Sequence, residues 1–265
     1  VHTVTLSAYE IGKYEVTNQE ICDVYNWADD QGYFSTVDAD TASAYGQELL
    51  DMDDVECQIS YTGGQFVADS RDGYSMADHP VVEVSWYGAA VYCNWLSESQ
   101  GLQACYNTSD WTCDLSKNGY HLPTEAQWER AAAWSTAGAG YNWRYGQSSD
   151  SISCDSVNYE PSGYCNPLGL SDYPYTSPVG YYVGASSPAG CYDMSGNVWE
   201  WCNDWYGDYP GGSVTNPEGP SSGSYRVLRG GSWSLNALGC RAADRYYFTP
   251  DGTDDGDGFR VARTP

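Results

Sequence analysis

Apolar and polar positions alternate over residues 1–6, so the chain is expected to open on a strand. A second strand is expected over 9–16, broken at Gly12. Thr17-Asn18-Gln19-Glu20 then has the form of a capping box, which predicts a helix over 18–28. Residues 29–77 are acidic and glycine-rich with little periodicity. Within them a hairpin is expected, 57–61 against 65–67 around Gly63-Gly64. The apolar run that ends at Ser85 predicts a strand and then a helix to about residue 98. Thr124 and Gln127 make a second capping box, with a helix to about residue 134. Beyond it Gly, Ser, Pro, Asn and Tyr dominate, and short strands are expected at 180–183, 192–194, 198–203, 225–232 and 258–262. The pattern is α+β, with few regular elements, long loops and no internal repeat. It reads as a single domain over 1–265, with 30–77 and 99–119 as insertions.

Composition adds limits. At 41% hydrophobic and 15% aromatic residues, the chain has the means to bury a core and is not disordered. A formal net charge of −25 repels phosphates and anionic lipid, so neither nucleic acid nor membrane insertion is an expected partner mode. Acidic loops are either solvated faces or calcium sites. The ten cysteines include no CxxC pair and no nearby histidine cluster, which argues against zinc. Their even, scattered distribution reads as a disulfide-bearing chain, secreted or on the cell surface. Pairs Cys105–Cys113 and Cys154–Cys165 would close short loops, although spacing does not fix connectivity. No apolar run is long enough to span a bilayer. The start at Val1 rather than a methionine reads as a leader already removed. Asn107-Thr108-Ser109 is a glycosylation sequon in hosts that use it.

Several segments together resemble the formylglycine-generating-enzyme, or sulfatase-modifying-factor, family. They are Tyr14-Glu15-Val16-Thr17-Asn18, His79-Pro80-Val81-Val82 through Ser85-Trp86, Leu122-Pro123-Thr124-Glu125 through Trp128-Glu129, Gly196-Asn197-Val198-Trp199-Glu200-Trp201, Arg229-Gly230-Gly231-Ser232-Trp233 and Gly258-Phe259-Arg260. They stand in the family's order and span nearly the whole chain. The resemblance implies a C-type-lectin-like fold, and most of these segments read as framework. It also implies structural calcium at Asp193, Gly196 O, Val198 O and Glu200, hard oxygen donors of the kind that ion takes. A second calcium site would fall near Asn158, Tyr159 and Asp172.

The enzymes of that family carry two cysteines after the GGS motif that bind copper. Here the first falls on Leu235, and Cys240 stands near the second, so the thiolate pair that Cu(I) prefers is incomplete. The histidines His2, His79 and His121 have no ligand spacing, so copper and iron are both disfavoured. Between Trp233 and Gly258 the framework residues Arg241, Ala243, Arg245 and Pro250 alternate with unpatterned ones. Variable proteins of diversity-generating retroelements, relatives of this family, also end in RGGSW…GFR with their binding residues between. Replacement of adenines in asparagine codons yields no Lys, Glu, Gln, Met or Trp, and none occurs from Ser234 to Asp257. The expected contact residues are Ser234, Leu235, Asn236, Leu238, Asp244, Tyr246, Tyr247, Phe248, Asp254 and Asp255, with the aromatics supplying rigid contact area. The acidic run 251–258 lacks the EF-hand spacing. The expected function is a non-catalytic surface module that binds a protein or glycan. The alternatives are a family oxidoreductase and a self-associating subunit of an extracellular assembly.

Overall fold

The computed structural model describes residues 3–135 and 142–265. Three helices form where the capping signals place them: α1 (Asn18–Asp30), α2 (Trp86–Ser99) and α3 (Glu125–Ala133). The Thr17 hydroxyl accepts from Glu20 N while the Glu20 carboxylate accepts from Thr17 N, and Thr124 and Gln127 repeat the exchange. Ser85 accepts from Gly88 N at the start of α2. Helix α1 buries Ile21, Val24, Tyr25 and Ala28, the stripe of an amphipathic helix. Helix α2 is buried on nearly every side, with Trp86, Val91, Tyr92 and Trp95 in the main core. Tyr25 meets Phe66 and Trp95 edge-on at 5.4 Å, which joins α1, α2 and the hairpin Ile59–Thr62/Gln65–Ala68. That hairpin turns at Gly63 and Gly64, both at positive φ as the turn requires.

The central sheet has four strands in the order Tyr246–Phe248, Arg226–Arg229, Trp199–Trp205, Asp257–Gly258. The first three run antiparallel, and Asp257–Gly258 joins in parallel. A second sheet pairs Tyr120–His121, Ala262–Arg263 and Glu10–Ile11. The chain therefore leaves one sheet at Gly258 and enters the other at Ala262, and the stretch expected as one strand over 258–262 is two. Between them Phe259 and Arg260 are fully buried.

Other expectations are corrected. Residues 1–2 of the opening strand lie outside the described residues, and the rest contracts to Val4–Thr5. The strand over 9–16 contracts to Glu10–Ile11. Residues 180–183 and 192–194 form turns, because Gly180 and Asp193 adopt left-handed φ (68° and 59°) and Tyr192 N donates out of register to Lys13 O. The stretch 36–51 holds a meander, Thr36–Val37/Thr41–Ala44/Gln47–Asp51, that weak periodicity concealed. Cys154 and Cys165 are bonded, as one pairing anticipated. Cys105 and Cys113 are both free thiols. In their hairpin Cys113 faces Tyr106, and Cys105 O accepts from Asp114 N, so the register sets the two thiols off by one position.

Candidate ligand-binding surface

The motif residues are largely consumed by one another. The Glu125 carboxylate accepts from Arg229 Nη1 at 2.7 Å and from Arg245 Nε and Nη2 at 2.6 and 2.8 Å. Glu129 takes Arg229 Nη2 at 2.7 Å. Glu15 accepts from Asn197 Nδ2 at 2.7 Å. Trp86 Nε1 donates to Cys202 O, and Trp201 Nε1 to Val84 O. His79 and His121 are fully buried; burial lowers both, His79 to about 4, so each is a neutral framework imidazole. His2 lies outside the described residues.

Of the four residues expected to hold calcium, Asp193, Gly196 and Val198 lie on the loop that leads into the strand Trp199–Trp205, and Glu200 lies in that strand. Glu200 accepts from Arg260 Nε at 2.5 Å and Nη2 at 2.7 Å, and from Trp128 Nε1 at 2.8 Å. Asp193 accepts from Gly180 N at 2.6 Å. Both Glu200 oxygens are already held by Arg260 and Trp128, so a hard cation here would find its open donors in Asp193 and the Gly196 and Val198 carbonyls. Glu15 is pushed well above the carboxylate range and Asp193 to about 6, chiefly by burial and then by neighbouring charge. For the second expected site, Asn158 is buried and donates to Tyr175 O, while Asp172 is exposed and accepts from Tyr173 N.

Copper fits poorly. Leu235 offers no donor atom, and Cys240 is fully buried with its thiol pushed up to about 12 by burial. Among the described residues no group of three or more His, Cys, Asp or Glu could hold a metal ion.

The segment from Ser234 to Asp257 supplies both outer strands of the central sheet, Tyr246–Phe248 on one edge and the start of Asp257–Gly258 on the other. Its expected contact residues fall into three groups. Ser234, Leu235, Asn236 and Leu238 form a turn beside Tyr159, where Leu238 is 66% exposed and Leu235 packs into the core. Tyr246 and Tyr247 stand out from the edge strand; Tyr246 stacks on Trp199 at 5.5 Å, and Tyr247 lies 4.4 Å from Tyr206 and 4.9 Å from Tyr225. Phe248 turns inward against Gly252 and the core, and Asp244 pairs with Arg241. Asp254 and Asp255 form the third group.

Those two aspartates line a pocket of about 270 Å³ with Asp54, Glu56, Glu83 and Thr253. Sequence reasoning missed the insertion's share in it. Asp54, Glu56 and Glu83 are far from the C-terminal segment along the chain, and only their acidity was visible. A cluster of Tyr164, Tyr173 and Tyr175 around Trp233, at 5.2–5.6 Å, was likewise unforeseen. Trp233 Nε1 donates to Asp255 O and so ties this cluster to the pocket.

Comparison with known proteins accords with this geometry. The whole chain, residues 1–265, matches the family model for the sulfatase-modifying factor enzyme 1-like domain. The chain belongs to that family. It is 29% identical to the formylglycine-generating enzyme of Thermomonospora curvata, over 100% of this chain and 85% of that protein. It is 30% identical to a protein named serine/threonine-protein kinase pkn1 from Chlamydia pneumoniae, over 99% of this chain. This sulfatase-modifying-factor-like domain spans only 34% of that kinase's length. Among solved structures it is similar to Treponema denticola variable protein 1, with TM-score 0.67 and 29% identity over 100% of this chain and 87% of that one. CarF follows at TM-score 0.65 and 25% identity, over 97% of this chain and 86% of that one. The fold is thus shared with a variable protein and with CarF, and formylglycine-generating enzymes are among its sequence relatives.

Proposed function

We propose that this domain is a non-catalytic ligand-binding module, secreted or on a cell surface, whose contact surface is the 234–257 segment. The observation that carries the reading is the division of labour in the site. Motif residues are buried in mutual ion pairs, whereas Leu238, Tyr246, Tyr247 and Asp254 of this segment face solvent. Exposed tyrosines beside small polar residues suit a protein or glycan partner. The likeness to a variable protein and the lone thiol at Cys240 support the same reading, and the Cys154–Cys165 disulfide suits an oxidising compartment. We further propose calcium at Asp193, Gly196, Val198 and Glu200, where it would offset the excess of buried carboxylates and so stiffen the loop.

The test is a panel of surface proteins and glycans, probed with native domain and with Tyr246→Ala/Tyr247→Ala. The double variant should lose at least tenfold in capture of any binder while it still unfolds in one cooperative transition, its melting temperature lowered only by the lost ring contacts. Metal analysis of the same protein should find calcium and no stoichiometric copper or iron. One copper per chain that disappears in Cys240→Ser would overturn the non-catalytic reading, and self-association lost in the tyrosine variant would favour a subunit of an assembly.

A further inference from the structure

We infer that the cavity beside Trp143 and Arg144 binds an acidic sugar, with the Arg144 guanidinium as the receptor for its carboxylate. The cavity measures about 430 Å³ and is lined by Asn142, Trp143, Arg144, Asp150, Arg241 and Ala243. That volume falls within the roughly 300–1,000 Å³ of small-molecule sites. Asn142, Trp143, Arg144 and Asp150 lie outside the 234–257 segment, so the site is distinct from the proposed contact surface, which it borders at Arg241 and Ala243.

Backbone bonds hold Arg144 in place. Its N–H donates to Asp150 Oδ1 at 3.0 Å, its carbonyl accepts from Ala242 N at 2.9 Å, and Trp143 N donates to Ala133 O at 3.0 Å. The chain here is thus fastened both to helix α3 and to the 234–257 segment. Arg241 is oriented by Nε to Leu238 O and by Nη2 to Asp244, each at 2.7 Å, which leaves its Nη1 without an acceptor among the described residues. Arg144 is exposed, and among the described residues its guanidinium has neither an acceptor nor a ring beneath it. Every other lysine and arginine of the chain donates to a carboxylate or a carbonyl, or lies over a tyrosine. With 36 acidic residues against 11 basic ones, a guanidinium left without a carboxylate is the exception in this molecule, and it stands at a cavity.

The lining names the ligand's chemistry. Arg144 and Arg241 only donate, as a carboxylate requires, and a guanidinium takes that group in a charge-assisted fork. Asp150 only accepts, as sugar hydroxyls require, and the exposed Asn142 amide does both. Trp143 offers apolar area for the carbon face of a pyranose ring. This combination favours a sugar acid over a bare anion, which has no use for an aromatic wall or for the acceptor Asp150. The net charge of −25 does not cancel the attraction. At physiological ionic strength exposed charges beyond about 8 Å are largely screened, whereas a direct guanidinium–carboxylate contact is kept.

Calorimetric titration of the native domain with methyl glucuronide, a methyl sialoside, methyl glucoside, N-acetyl-aspartate amide and inorganic phosphate tests the inference. Saturable one-to-one binding of at least one of the two acidic sugars is expected, with the neutral glucoside, the aspartate amide and phosphate at least tenfold weaker. Arg144→Gln should lose at least tenfold in binding of that sugar, and its melting temperature should be unchanged because the guanidinium it removes has no partner within the protein. Absence of saturable binding by either acidic sugar, or equal binding in Arg144→Gln, overturns the inference. Equal binding of the glucoside does the same, because it leaves the carboxylate without a receptor. Equal binding of phosphate or of the aspartate amide also overturns it, because the site would then hold any anion and not a sugar. Tyr246→Ala/Tyr247→Ala should leave sugar binding intact; its loss there would move the sugar onto the tyrosines and away from this cavity. Failure of the sugars with partner capture still dependent on the tyrosines would remove the cavity and leave the contact surface standing, and the converse result would do the opposite.

Discussion

Glu125 accepts hydrogen bonds from two arginines and the Tyr209 hydroxyl, and Arg229, one of those arginines, is fully buried. The carboxylate therefore holds two cationic side chains whose charges have little access to water. Replacing it with alanine would leave Arg229 one carboxylate, Glu129, and Arg245 without its carboxylate. Glu125→Ala should cost about 3–5 kcal/mol, read from the urea midpoint at constant slope. Glu10→Ala is the contrast: its pair with Arg263 is exposed at the surface and should cost below about 1 kcal/mol. Both carboxylates look alike in sequence. The motif around Glu125 marked it as framework, but its partners lie 104 and 120 positions away. No local signal names them.

Helix α2 shows what decides an element. Ser85 caps it and its composition is apolar all round, which is how a helix reads when neighbours cover every face. Gly88 is the position where it meets the meander strand Gln47–Asp51, and a Cβ there would drive into the Leu49 backbone carbonyl. Gly88→Ala should destabilise by about 1–3 kcal/mol despite alanine's higher helix propensity, as chemical denaturation would show. An unchanged or raised midpoint would mean that the strand can move aside. The cap and the helix were legible because their determinants lie within four residues. The strands expected at 180–183 and 192–194 failed because short apolar runs say nothing about left-handed backbone or about partners.

For the molecule as a whole, burial and mutual repulsion leave several carboxyls reluctant to ionise. Glu83 is pushed up to about 8, and Asp204 and Asp255 to about 7, in each case first by burial. Asp54 and Asp254 add like charge around Glu83 and Asp255, and the Arg71 guanidinium lowers Asp54 and Glu56 in partial compensation. The folded state then binds these protons more tightly than the unfolded chain, whose carboxyls titrate near about 4. The associated stability is present at low pH and is lost as pH rises through about 7 and 8. The melting temperature should be higher at pH 5 than at pH 8.5. A flat or rising profile across that window would show that these groups are ionised and compensated in the folded protein.

The amino-acid sequence by itself determined the three helices, the glycine-turned hairpin, the family and the segment that departs from its framework. These depend on capping, period and ordered motifs, which act over a few residues or survive as linear strings. Only the tertiary structure decided that Glu125 meets Arg229 and Glu200 meets Arg260. It alone placed the middle and the C-terminal end of the 234–257 segment on opposite edges of one sheet. It also brought Asp54, Glu83 and Asp255 to a single pocket from three separate stretches of chain. The physical reason is the same in each case. Charge pairing and pocket formation act through space between residues a hundred positions apart, and which side chains become neighbours is settled by packing of the whole core.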